Sequence, residues 1–208
     1  MIAIVDYGVG NLFSLMSSLR KIGADVVVSG EEETIKKADK IILPGVGAFR
    51  DAIKKLTESG LKDVVIKECE KGKPLLGICL GMQMLFDVSY EDGEYEGLRL
   101  IPGAVRPISS VIPQGYKVPH IGWNRLDMKK DSCLFRYIKN GDYVYFVHSY
   151  YAADCESFVT ATSEYGYPLT ASVEYKNVFG CQFHPEKSGE VGLNILRAFA
   201  FDDGETKK

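Results

Sequence analysis

The sequence has no dense cluster of lysine and arginine, and its 25 basic against 28 acidic residues leave a formal net charge of −3. A field of that sign gives no reason to expect nucleic acid or an anionic membrane surface as partner. Long apolar runs are lacking too. The longest, Pro74 to Phe86, contains Gln83 and falls well short of the roughly 20 residues that cross a bilayer, so no membrane partner is expected. The five cysteines are odd in number and form no Cys-x-x-Cys pair, which argues against a disulfide framework or a zinc knuckle. The three histidines lack metal-ligand spacing, so no metal site and no cofactor is expected. The opening Met1-Ile2-Ala3-Ile4-Val5-Asp6 has no basic leader and meets a carboxylate at once, so a cytoplasmic location is the expectation.

What remains is an ordinary globular composition, 46% hydrophobic and 25% charged, in 208 residues. That length favours one domain, placed at residues 1–202 with a frayed tail at 203–208. Ile2 to Val5 reads as a short buried strand. Asn11 is placed to cap a helix whose apolar Leu12, Leu15, Met16 and Leu19 repeat at helical spacing, and Gly23 ends it. Strands at Val26 to Val28, Lys40 to Leu43 and Leu75 to Ile78 alternate with helices at Glu31 to Ala38, around Phe49, Ala52, Ile53 and Leu56, and from Leu61 to Glu70. This grammar predicts an α/β fold with a mostly parallel central sheet flanked by helices. The acidic stretch Glu91, Asp92, Glu94 and Glu96 reads as a solvated loop. From Ala104 to Phe183, Val, Tyr, Phe and Thr dominate, with turn signals at Asn140-Gly141 and Lys176-Asn177, which predicts additional antiparallel strands in the C-terminal half. Ser188 is placed to cap a last helix carrying Val191, Ile195 and Phe199 on one face.

Gly77-Ile78-Cys79-Leu80-Gly81 follows an apolar strand and opens a helix, the context of a nucleophile elbow. The turn is sharp, and residues without Cβ on either side let backbones pass close together. A thiol at a helix N-terminus faces unpaired N–H groups that favour the reactive thiolate. Cys79 is therefore the candidate nucleophile. Attack on an amide needs an acid for the departing amine, which suits histidine. In His184-Pro185-Glu186 the residues two apart point to one side of an extended chain, so Glu186 can orient His184. His120 and His148 read as structural. Pro44-Gly45-Val46-Gly47 follows the third strand and offers backbone N–H groups at Val46 and Gly47, which with the N–H of Leu80 would form an oxyanion hole. Asp6-Tyr7-Gly8-Val9-Gly10-Asn11 is similar to a dinucleotide-binding turn, but Phe13 stands where the third glycine belongs, so that site is rejected.

The elbow extended to Met82-Gln83, together with Gln182-Phe183-His184-Pro185-Glu186, resembles the class I (triad) glutamine amidotransferases, whose fold is flavodoxin-like. Asp6 to Leu12, Pro119-His120-Ile121-Gly122-Trp123-Asn124 and Tyr145-Phe146-Val147-His148-Ser149-Tyr150 extend the likeness over nearly the whole chain. Ile121 stands where Met is more usual, a swap of similar volume. The resemblance implies that Cys79 attacks the side-chain amide of glutamine and that His184, oriented by Glu186, protonates the leaving ammonia. It also implies that Gly47, Leu80, Gln83, Ser149 and Tyr150 hold glutamine. The ammonia would pass to a cyclase subunit of (β/α)8-barrel type in a heterodimer, for a phosphorylated ribulosyl intermediate of histidine and purine metabolism, with Asn11, Trp123 and Lys187 as interface candidates. Rival readings are the glutaminase component of an anthranilate or GMP type synthase, a γ-glutamyl hydrolase or elbow-cysteine peptidase, and a non-catalytic glutamine-binding regulatory module.

Overall fold

The protein is described from a computed structural model covering residues 1–201. The first half alternates strands and helices in the expected order: β1 (Ile2–Val5), α1 (Leu12–Lys21), β2 (Val26–Ser29), α2 (Glu32–Lys37), β3 (Lys40–Gly45), α3 (Phe49–Glu58), α4 (Leu61–Glu70) and β4 (Leu75–Cys79). A single turn, α5 (Leu80–Gln83), follows at once. Then come β5 (Phe86–Ser89), β6 (Tyr95–Glu96), β7 (Ile101–Pro107), β8 (His120–Arg125), β9 (Asp127–Met128), β10 (Tyr143–His148), β11 (Tyr150–Ala153), β12 (Val159–Glu164), β13 (Pro168–Tyr175), β14 (Val178–Cys181) and the closing α6 (Gly189–Phe201).

Eight strands form the central sheet in the order β2-β1-β3-β4-β14-β13-β12-β9. The pairs from β2 to β14 are parallel, and those beyond β14 antiparallel. Alternation along each strand divides the core between the two faces of the sheet. Ala3, Val5 and Leu75 pack with Phe49, Leu56 and Val65 on one side. Ile2, Ile4, Leu76 and Ile78 pack with Leu15, Leu19, Ile195 and Phe199 on the other. Leu15 and Leu19 are at most 2% exposed, and burying each contributes about 1.5–3 kcal/mol. The additions expected to be antiparallel include the antiparallel pair β10-β8 and a four-stranded sheet, β11-β7-β5-β6, that is mixed, since its central pair β5-β7 is parallel.

Three local expectations change. Asn11 precedes α1, but its φ of −88° and ψ of 64° depart from the extended geometry of a capping residue, and its side chain makes no capping bond. Ser188 precedes α6, yet its hydroxyl donates to the His184 carbonyl at 2.6 Å and accepts from the Tyr145 N–H at 3.0 Å, tying β10 to the turn before the helix. The acidic stretch after Ser89 is more than a solvated loop: it contains β6, and Glu91 turns inward to accept the N–H of Phe49 at 2.7 Å. Lys176-Asn177 does join β13 to β14, with Lys176 at φ 56°. The tail expected to fray, 203–208, lies outside the described residues.

Candidate active site

β4 runs between β3 and β14, both parallel to it, and delivers Cys79 at its carboxyl end. There Cys79 takes φ 55° and ψ −113°, a conformation that costs a non-glycine residue about 1–3 kcal/mol. Its neighbours must hold it there, and glycines let them approach. A Cβ on Gly81 would stand 1.9 Å from the Leu43 carbonyl oxygen, and one on Gly45 would stand 2.7 Å from the Gly81 nitrogen. The end of β3 is thereby clamped against the first turn of α5. Because α5 spans only four residues, its aligned dipole is small, and the unpaired N–H groups of that turn are what the sequence argument retains.

His184 follows β14, and Glu186 lies in the 3-10 turn Pro185–Lys187. The imidazole Nδ1 and Glu186 Oε1 are 2.9 Å apart, with both side chains no more than 4% exposed. With Nδ1 engaged, Nε2 is the nitrogen left to face the Cys79 side chain, whose proximity favours the charged ring. Burial opposes charge on His184, but the bonds to Cys79 and Glu186 outweigh it and carry the pKa up to about 9. Backbone contacts fix the ring's base: the His184 N–H donates to the Tyr145 carbonyl at 2.9 Å. The structure thus brings together the three residues that the sequence singled out. Around the sulfur, Gln182 Nε2 lies 3.7 Å away and the Val147 carbonyl 3.9 Å away.

Cys79 and His184 open onto a cavity of about 280 Å³. Val46, Gly47, Leu80 and Gln83 form one wall, and Pro119 with Val147, His148, Ser149 and Tyr150 the other. Every residue expected to hold glutamine or to form the oxyanion hole therefore lines this one space. Gly47 sits at φ 92° with open space where a Cβ would go, whereas Gly45 is clamped. Just before them, the buried Tyr7 hydroxyl donates to the Pro44 carbonyl at 2.6 Å. Glu91 also lines the cavity, and nothing in its acidic surroundings distinguishes it in the sequence. Burial raises its pKa, against the lowering effect of the Phe49 N–H. A larger depression of about 920 Å³ between Met128 and Ile138 holds none of these groups.

Two of the three interface candidates converge. Trp123, 51% exposed on β8, meets the Tyr145 ring edge-on with centroids 6.0 Å apart, and the Lys187 ammonium lies 5.8 Å from the same ring. Asn11, half-buried ahead of α1, is in none of these contacts.

Residues 3–202 match the family model described as glutamine amidotransferase class-I, and the chain belongs to that family. Among its relatives is the imidazole glycerol phosphate synthase subunit HisH of Caldanaerobacter subterraneus subsp. tengcongensis, 51% identical over 96% of this chain and 97% of the relative. The protein of the same name from Methanothermobacter thermautotrophicus is 49% identical over 96% of this chain and 97% of the relative. A solved glutamine amidotransferase superposes with a TM-score of 0.74 at 20% identity, covering 96% of this chain and 99% of its own. That likeness carries the fold alone.

Proposed function

We propose that the chain is the glutaminase subunit of an imidazole glycerol phosphate synthase, acting in the cytoplasm in a heterodimer with a (β/α)8-barrel cyclase subunit. The Cys79 thiolate attacks the side-chain amide carbon of glutamine, and the N–H of Leu80 with one from the Val46-Gly47 segment stabilises the resulting oxyanion. His184 gives a proton to the departing ammonia as the C–N bond breaks, leaving a γ-glutamyl thioester. Water then attacks the thioester, His184 takes its proton and returns it to the sulfur, and glutamate leaves. Glu186 holds the imidazole in the tautomer and orientation this needs. Within the cavity, the carboxylate of Glu91 faces the α-ammonium of glutamine, and Gly47, Gln83, Ser149 and Tyr150 bound the rest. Ammonia passes to the partner across the face that carries Trp123 and Lys187, with Asn11 at its edge, for use in histidine biosynthesis.

The observation that carries the reading is the buried His184 with Glu186 on one nitrogen, at 2.9 Å, sharing the lining of one cavity with Cys79. Support for the particular synthase is the 51% identity along almost the whole chain with a protein named as a subunit of that enzyme. The decisive experiment is co-purification with a barrel cyclase followed by assays of Cys79→Ala. The complex loses glutamine-dependent synthesis and keeps synthesis from ammonium salts; unaltered glutamine hydrolysis contradicts the assignment. The glycines of Pro44-Gly45-Val46-Gly47 support a further proposal, that the Val46-Gly47 peptide, with open space beside Gly47, turns into the cavity only when the partner is liganded. Equal glutaminase rates with and without the liganded cyclase rule that out.

A further inference from the structure

Two buried histidines take no part in the chemistry above, and one of them, His148, lines the cavity. His148 ends β10 and His120 opens β8, directly opposite each other in the antiparallel pair. His148 Nδ1 lies 2.8 Å from the Tyr150 carbonyl oxygen. A carbonyl only accepts, so this nitrogen carries the hydrogen. Burial holds both rings neutral, with pKa values pushed down to about 4. His148 Nε2 is then a bare acceptor, and His120 Nδ1, 3.0 Å away, must donate to it. That leaves His120 Nε2 unprotonated, and it is buried with no hydrogen-bond partner among the described residues. The pair admits one arrangement of its hydrogens.

The order continues towards the nucleophile. The Tyr150 carbonyl also accepts from Gln83 Nε2 at 3.1 Å, and the same amide nitrogen donates to Gln182 Oε1 at 2.9 Å. Gln182, with its oxygen so engaged, turns its Nε2 towards the Cys79 sulfur at 3.7 Å. His120, His148, Gln83 and Gln182 are all buried. Each link fixes the direction of the next, and the last aims a donor at the sulfur. Stability alone gives no reason for such a chain, because an apolar pair in place of the histidines would leave no buried nitrogen unsatisfied.

We infer that His148, held by His120, is a positioning residue that fixes the Tyr150 carbonyl and, through Gln83 and Gln182, keeps an N–H directed at Cys79. The inference rests on Cys79 being the nucleophile of the proposed function. Its test compares His148→Asn with His148→Gln in the full chain. The amide nitrogen of Asn takes the place of Nδ1 and keeps the donor to Tyr150, whereas that of Gln takes the place of Nε2 and loses it. The readouts are the pH profile of Cys79 alkylation by iodoacetamide, followed at that residue by mass spectrometry, and kcat/KM for glutamine in the complex with the cyclase. His148→Gln moves the alkylation midpoint to higher pH and lowers kcat/KM about tenfold, while His148→Asn stays within about twofold of the parent. An unmoved profile in both variants, or equal losses in both, overturns the relay.

Alkylation requires no glutamine, so the relay and the role of Cys79 as nucleophile are tested separately. A parent protein whose glutamine turnover survives Cys79→Ala removes the nucleophile, whereas normal turnover with unmoved alkylation profiles removes only the relay. Should neither variant fold, the imidazole 15N shifts of the parent protein decide. Both rings protonated at Nδ1 at neutral pH agree with the inference, and a hydrogen on either Nε2 contradicts it.

Discussion

The two walls of the cavity are built by different means. On the elbow side, β3, β4 and α5 meet backbone to backbone, with Gly45 and Gly81 so close that neither has room for a Cβ. On the other side, side-chain bonds add to the β8-β10 ladder: the histidine pair, the His148 bond to the Tyr150 carbonyl, which Gln83 reaches from the elbow wall, and Ser188 bridging Tyr145 and His184. The first wall holds a strained nucleophile by excluding alternatives, and the second directs hydrogens and charges around it. Substitutions on the elbow side should therefore act through stability and the chemical step, whereas those opposite should act through protonation and substrate affinity.

The largest effect belongs to the nucleophile itself. Cys79→Ala lowers glutamate release by at least about 10⁴-fold, with ammonium-dependent synthesis by the complex retained, as a coupled assay of both nitrogen sources measures. Glu186→Gln follows, with a loss of about 10³-fold in kcat. Its pH profile carries the sharper information. His184 acts as an acid and must be protonated, and its pKa is raised to about 9, so activity falls on the alkaline side as pH rises through that value. Removing the carboxylate withdraws a partner that favours the charged ring, so the alkaline limb shifts to lower pH in Glu186→Gln.

Gly81→Ala separates the walls most cleanly. Its new Cβ would stand 1.9 Å from a backbone oxygen, and it destabilises the fold by about 3 kcal/mol, read from the midpoint of denaturant unfolding. The smallest effect is expected at Glu91→Gln, whose carboxylate lines the cavity and is tied to the start of α3. This change raises KM for glutamine about tenfold and leaves kcat within about twofold, because it weakens ground and transition state alike. A fall in kcat at unchanged KM would move Glu91 from substrate binding to the chemical step.

The two walls also differ in how far the sequence discloses them. The elbow is contiguous, so Gly77-Ile78-Cys79-Leu80-Gly81 states both the candidate nucleophile and the reason for its glycines; the spacing of two also pairs His184 with Glu186, although a 3-10 turn and not the extended chain expected brings the carboxylate to the ring. The α/β alternation of the first half is legible for the same reason, since each strand and helix has its own period. Gly45 is a glycine because of Gly81, 36 positions (81 − 45) further along, and no local pattern records that contact. Glu91 stands in a run of acidic residues, where a carboxylate that turns inward looks like its solvated neighbours. His120 and His148 read as structural because their pairing joins positions 28 apart, across a strand register that sequence periodicity does not fix. Ser188 has the residue type of a helix cap, but nearby backbone groups of Tyr145 and His184 compete for its hydroxyl and win.

In the proposed mechanism the strained cysteine at the end of β4 carries the acyl group during turnover. Incubating the complex with glutamine, quenching with acid and mapping peptides by mass spectrometry tests it directly. A γ-glutamyl adduct on Cys79 should form when glutamine is added, hold a steady level while glutamate is released, and be absent from Cys79→Ala. Steady glutamine hydrolysis with the adduct on another of the five cysteines, or with none at Cys79 under conditions that preserve thioesters, would contradict it.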